Sequence, residues 1–258
     1  MNTRSCIFIT GAATGIGRAT ARLFAQRGWF VGLADIDQAA LLTLAQELGA
    51  QSATPLHLDV TSSDDWHLAL KEFHSLCGRL DVLVNNAGIL ISGPFESNAL
   101  SRHHALVDVN LKGMLNGCFH AKPYLSSTPG ARVINLSSTA AVYGQASLAT
   151  YSSTKFAVRG LTEGLNVEWQ KDGIRVMDIM PLYVRTAMVK DLNARSADRL
   201  GVRLTPEDVA KVIWKAADFK GSYGKVHWPV GLQAIWLYRL TSLAPDWLAR
   251  FIARRIAS

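Results

Sequence analysis

Tyr151 and Lys155 stand four positions apart in the stretch ATYSSTKFAV, residues 149 to 158. That spacing puts a phenol and an ammonium on one face of a helix, one turn apart. A free tyrosine titrates near about 10, too high for a base at neutral pH, and a cation within a few ångströms lowers that value by favouring the phenolate. The pair is a candidate proton donor and acceptor; the plainer alternative is a contact between two solvated side chains.

A second stretch, TGAATGIG at residues 10 to 17, spaces its glycines as G-x-x-x-G-x-G. Gly11 permits a tight turn, Gly15 lets the backbone approach a phosphate, and Gly17 allows close helix packing, while the N-terminus of the following helix attracts a pyrophosphate. Gly11, Thr14, Gly15, Ile16 and Gly17 are therefore candidate dinucleotide ligands, with an ordinary turn as the alternative. Asp35, twenty-four residues beyond Gly11, closes the segment LADID; a carboxylate there accepts from the adenosine ribose hydroxyls and repels a 2′-phosphate, which favours NAD over NADP. Asp37 competes for that role but is explained by capping the next helix, and Arg18 reads as a solvated arginine. Asp59 and Val60, in HLDV, are placed at the adenine edge, with an N-cap as the alternative for Asp59.

These residues have to be held by something. Apolar, β-branched runs at Cys6 to Thr10, Phe30 to Asp35, Thr54 to Asp59, Leu80 to Asn85, Arg132 to Ser137 and Arg175 to Met180 alternate with helical stretches at Gly15 to Arg27, Gln38 to Leu48, Ser63 to Cys77 and Ser101 to Leu125. The runs show little polar alternation, as strands covered on both faces do. The pattern predicts an α/β fold, a doubly wound parallel sheet of Rossmann type, in one domain of 258 residues. A polar stretch from Pro181 to Leu204 reads as a variable loop.

Composition narrows the classes. The chain is 49% hydrophobic and 18% charged with a net charge of +7, yet its lysines and arginines are dispersed, which argues against nucleic-acid binding. Cys6, Cys77 and Cys118 have no metal-ligand spacing, and no histidine pairs with a carboxylate at ligand spacing, so no metal is assigned. A run from Ser5 to Thr10 is too short for a leader or a span, and a cytoplasmic location is expected.

With TGAATGIG joined by NNAG at 85 to 88, VDVN ending at Asn110, NLSS ending at Ser138 and YSSTK at 151 to 155, the chain resembles the short-chain dehydrogenase/reductase family from residue 10 to about 190. The resemblance implies a catalytic set of Asn110, Ser138, Tyr151 and Lys155, in which Ser138 holds the reacting oxygen, Lys155 also holds the nicotinamide ribose, and Asn110 holds a water linking Lys155 to solvent. It adds Asn86, Ala87, Gly88, Pro181, Val184 and Thr186 to the cofactor set, with Tyr151 and Lys155, and it implies a homodimer or homotetramer. One departure stands out: Leu182 occupies the family's usual glycine position after Pro181.

The implied activity is NAD-dependent interconversion of a secondary alcohol and a ketone. The alternatives are an NADPH-linked 3-oxoacyl thioester reductase and a non-catalytic dinucleotide sensor. The substrate set is Ser138, Ala140, Tyr143, Tyr151 and Leu182, in a pocket walled also by Leu90, Ile91, Leu148 and Tyr183, which points to a lipophilic small molecule. From Trp228 to Ser258 the chain reads as an amphipathic, basic extension, with Pro245 in a first helical turn and Trp247, Leu248, Phe251, Ile252 and Ile256 on one face while Arg250, Arg254 and Asp246 lie elsewhere. Such a face is covered either by the domain or a partner subunit, or by a membrane surface with Trp236, Trp247 and the arginines at headgroup level.

Overall fold

The computed structural model describes residues 4–189 and 201–243, together with residues 245, 247 and 251. Seven parallel strands form one sheet in the order β3-β2-β1-β4-β5-β6-β7. They are β1 Cys6–Thr10, β2 Phe30–Asp35, β3 Ala53–His57, β4 Val82–Asn85, β5 Arg132–Leu136, β6 Arg175–Pro181 and β7 His227–Val230. Strand polarity of burial explains the two layers. In β1, Ile7 and Ile9 face one cluster with Phe24, Leu41 and Ile213, whereas Cys6 and Phe8 face the other with Trp66, Leu70 and Phe73. Each strand thus buries both faces, and the sheet carries helices on both sides.

The helices are α1 Gly15–Gln26, α2 Gln38–Leu48, α3 Ser63–Cys77, α4 Leu100–Val107, α5 Gly113–Ser126, α6 Ala149–Glu168, α7 Pro206–Ala217 and α8 Leu232–Leu243. Strand order reverses between β1 and β4, and at such a switch point the helices leave in opposite directions and open a crevice at the carboxyl ends of the strands.

Four departures from expectation have local causes. The helix expected over Ser101 to Leu125 is two helices joined by a wider turn at Asp108–Lys112, where the Asn110 side chain leaves the helix path to bond the Ile89 backbone. Strand β3 ends at His57, short of Asp59, because β2, its partner, ends at Asp35 opposite His57. Strand β4 begins two residues after Leu80, whose N–H is taken by the Thr128 hydroxyl instead of a ladder. Strand β7 lies inside the stretch read as an extension; it carries Pro229, which an edge strand tolerates because one row of its N–H groups needs no partner.

Helix α7 opens on a capping box: the Thr205 hydroxyl accepts from Asp208 N, Asp208 returns the bond to Thr205 N, and Pro206 fills the first turn. Within the variable loop, Val184 bridges Leu204 and a short turn covers Ala187–Val189; residues 190–200 of that loop lie outside the described residues. Of the helix expected after Pro245, only Trp247 and Phe251 are described.

Candidate active site

The glycine loop runs from the end of β1 into α1. Gly11 and Gly15 have φ of +64° and +53°, a region that any Cβ disfavours. A Cβ on Gly17 would fall on the Gly11 carbonyl oxygen and 2.7 Å from Asn86 Nδ2. The loop is fastened from below: Asn86 Nδ2 donates to Thr10 O at 2.8 Å and Gly11 O at 3.0 Å, while the Thr10 hydroxyl accepts from the N–H groups of Asn86 and Ala87, both at 3.0 Å. This is a cradle open to a pyrophosphate at a helix N-terminus, so the residues present fit a dinucleotide. Gly17→Ala is therefore expected to displace the loop and weaken dinucleotide binding at least about fivefold, measured by titration of protein fluorescence, because overpacking of this kind costs about 1–3 kcal/mol.

Asp35 sits at the far side of the same crevice. Its carboxylate accepts from Ala13 N at 3.0 Å and Asp37 N at 3.1 Å, which aims it across the glycine loop. Asp37 caps α2 through Ala40 N, as expected. Arg18, expected to be solvated, keeps a side chain 38% exposed, yet with Arg22 it also lines the crevice, and both guanidinium groups turn toward Glu47, at 3.4 and 2.7 Å. Asp59 lines the crevice with Val60 and binds Thr61, whereas the cap of α3 is Ser62.

At the other end, Ser138 follows β5 and caps the short turn Thr139–Ala141, its hydroxyl accepting from Ala140 N at 3.1 Å. Tyr151 and Lys155 come from the first turns of α6, with the Lys155 ammonium 5.5 Å from the centre of the Tyr151 ring. Lys155 is buried and donates to the Leu136 carbonyl at 2.7 Å; burial, with no carboxylate to offset it, lowers its pKa to about 8. Tyr151 moves the other way, up to about 12, because burial outweighs the bond from Ser138, and Tyr183 nearby adds to the rise. Among the chain's own groups burial thus outweighs the lowering that a nearby cation favours, and the ammonium is engaged with Leu136.

Asn110 is buried behind them. Its Oδ1 accepts from Ile89 N at 2.8 Å and its Nδ2 donates to Ile89 O at 2.9 Å, tying the loop after Gly88 to the wide turn between α4 and α5. On the remaining wall, Val184 is buried and Thr186 faces the glycine loop, 3.2 Å from where a Gly15 Cβ would be.

One cavity of about 640 Å³ connects all of this, from Arg22, Asp35 and Asp59 through Gly15 and Gly88 to Ser138, Tyr151, Lys155 and Pro181. Leu90, Leu148, Leu182 and Tyr183 line its substrate end, as expected. Ala140, Tyr143 and Ile91 do not: all three are buried away from the cavity, and burial raises the Tyr143 phenol well above its usual value. Gln145 takes that part of the wall, accepting from the Tyr183 hydroxyl at 3.2 Å. Sequence reasoning missed it, although a lone amide in the apolar run before Tyr151 was a signal. Among the described residues no group of histidine, cysteine and acidic side chains could hold a metal ion.

The family model described as short chain dehydrogenase matches residues 5–197. The chain belongs to the short-chain dehydrogenase family. It is accordingly an oxidoreductase acting on CH–OH groups. Among its relatives, the mitochondrial borneol dehydrogenase of Lavandula x intermedia is 35% identical over 224 residues, covering 85% of each chain. A 3-oxoacyl-[acyl-carrier-protein] reductase of Thermotoga maritima is 33% identical over 223 residues, covering 83% of this short-chain dehydrogenase and 91% of the relative. The crystal structure of a 3-ketoacyl-(acyl-carrier-protein) reductase from Brucella melitensis complexed with NADH superposes with a TM-score of 0.80 at 27% identity, covering 88% of this chain and 96% of that one. No described helix of this family member is long and apolar enough to cross a membrane.

Proposed function

We propose that this enzyme is an NAD-dependent dehydrogenase that interconverts a lipophilic secondary alcohol and its ketone. The observation that carries the reading is one cavity with Asp35 at one end and Ser138, Tyr151 and Lys155 at the other, walled near the chemistry by Leu90, Leu148 and Leu182. A bound nicotinamide supplies the hydride acceptor. The chain's residues supply the rest. Gly11, Gly15 and Gly17 cradle the phosphates, and Asp35 takes the adenosine ribose. Ser138 donates to the substrate oxygen and holds charge that develops on it. Tyr151 takes the hydroxyl proton as the carbon gives up its hydride, and in the reverse direction returns it; Lys155 favours the phenolate by its charge.

Cofactor choice is the first test. Asp35→Asn keeps an acceptor for Ala13 N and removes the charge, so the preference for NAD over NADP is expected to narrow at least about tenfold, since opposed like charges cost several kcal/mol. Rates with both cofactors on each variant measure it; an unchanged ratio removes Asp35 from the selection. A panel of bulky alcohols and ketones followed by NADH absorbance tests the substrate class. Activity confined to NADPH and 3-oxoacyl thioesters would favour the second reading, for which the two similar acyl-carrier-protein reductases and the arginines at positions 18 and 22 in the crevice speak. Assembly as a homodimer or homotetramer goes with this reading. Exposed Leu115 and Phe119 on α5 and Phe156 and Val167 on α6 offer an apolar face for it, and light scattering on the purified chain reads the stoichiometry.

A further inference from the structure

Helix α8 has a well-defined inside. Ala234 is fully buried, and Tyr238 packs its ring 5.8 Å from His227 on β7 and 5.5 Å from the Arg159 guanidinium on α6. Those contacts fix which side faces water. On that side stand Leu232, Trp236 and Leu240, at 77%, 61% and 56% exposure, one helical turn apart. Arg239 is exposed beside them, and Trp247, just past the helix, is 70% exposed. A solvent face this apolar on a basic segment has the composition of a surface that is covered.

We propose that the outer face of α8 docks on an anionic lipid surface. Charge decides the occupant. Between residues 227 and 258 there are four arginines, at 239, 250, 254 and 255, against a single acid, Asp246, and the chain as a whole carries +7. Two copies brought together by this face would set like charges against each other, and an apolar face for self-association is present on α5 and α6. The indole rings of Trp236 and Trp247 and the guanidinium of Arg239, exposed with the aliphatic Leu232 and Leu240, suit the boundary between headgroups and acyl chains, where the helix lies in the plane without spanning. Helix α8 also packs on the turn Thr139–Ala141 that follows Ser138, so docking brings the bilayer beside the wall of the catalytic cavity.

Sedimentation of the full chain with vesicles tests this without reference to activity. Phosphatidylcholine vesicles containing phosphatidylglycerol are expected to bind at least about tenfold better than phosphatidylcholine alone, since each arginine near an anionic surface contributes about fivefold, and high salt is expected to release the protein. The variant Leu232→Ser/Trp236→Ser/Leu240→Ser should lose at least about tenfold in binding with an unchanged melting temperature, because the three side chains face water. Wild-type protein that ignores anionic vesicles overturns the proposal, as does a triple variant that binds them equally well. An oligomer that dissociates in the triple variant while the wild type binds no vesicle assigns the face to a second copy.

Discussion

Tyr151→Phe is expected to lower turnover at least about a hundredfold in both directions while leaving cofactor affinity within about threefold. The substitution keeps the ring in its wall position and removes only the hydroxyl, so what is lost is proton transfer, whose contribution ranges from about a hundred- to ten-thousandfold. Two features of the site make the effect large. Burial holds the phenol up, to about 12, so it has a proton to donate at neutral pH. The groups around it are otherwise engaged: Ser138 is a far weaker acid, Lys155 is directed at the Leu136 carbonyl, and the Tyr183 hydroxyl donates to Gln145. Steady-state rates with matched cofactor titrations distinguish this from a misfolded variant, because loss of chemistry leaves the binding isotherm in place. Full activity in the Phe variant would return the Tyr151/Lys155 pair to a structural role.

Much of this site was legible because its parts are local. Strand, glycine loop and helix N-terminus are contiguous in residues 6 to 26, and the i, i+4 pairing of Tyr151 and Lys155 needs only a helix. Likewise the apolar runs of β1 and β2 reveal a sheet covered on both faces, since no polar residue interrupts either run until its end. Legibility fails where tertiary contacts override local pattern. Asn110 sits in an unbroken helical sequence, and only the distant Ile89 backbone converts that helix into two. Strand β7 is four residues long with a proline in it, and becomes a strand because β6 offers an edge. Which side chains of the segment after Ser138 face the substrate depends on the short turn there, which buries Ala140 and Tyr143 and leaves Gln145 in the wall. The balance of effects on Tyr151 is hidden for a related reason. Spacing reveals the cation but says nothing of how deeply the phenol is buried or where the ammonium donates.

Lys155→Met is expected to lower alcohol oxidation at neutral pH about a hundredfold and to weaken cofactor binding as well, a double effect that Tyr151→Phe lacks. Methionine keeps most of the buried stem and removes the charge. With the ammonium 5.5 Å from the ring centre, Coulomb attraction to a phenolate at an effective dielectric constant of about 20 is roughly 3 kcal/mol, or about two pKa units. That outcome depends on the lysine being charged when the reaction runs. Burial lowers its pKa only to about 8, so it is mostly charged at pH 7 and loses its proton as the pH rises past that value. Oxidation needs phenolate, so its rate rises with pH until Tyr151 has titrated, and the ammonium, by favouring the phenolate, holds that inflection lower than it would lie without the charge. Removing the cation moves the inflection upward. Because the two groups interact, the wild-type profile reports the pair and the variant reports the tyrosine alone, so the comparison isolates the coupling. The Leu136 carbonyl also loses its donor, which lowers the melting temperature but has no reason to move an inflection. An inflection in Lys155→Met that coincides with the wild type would mean that Lys155 stabilises the fold and the cofactor without tuning the proton on Tyr151.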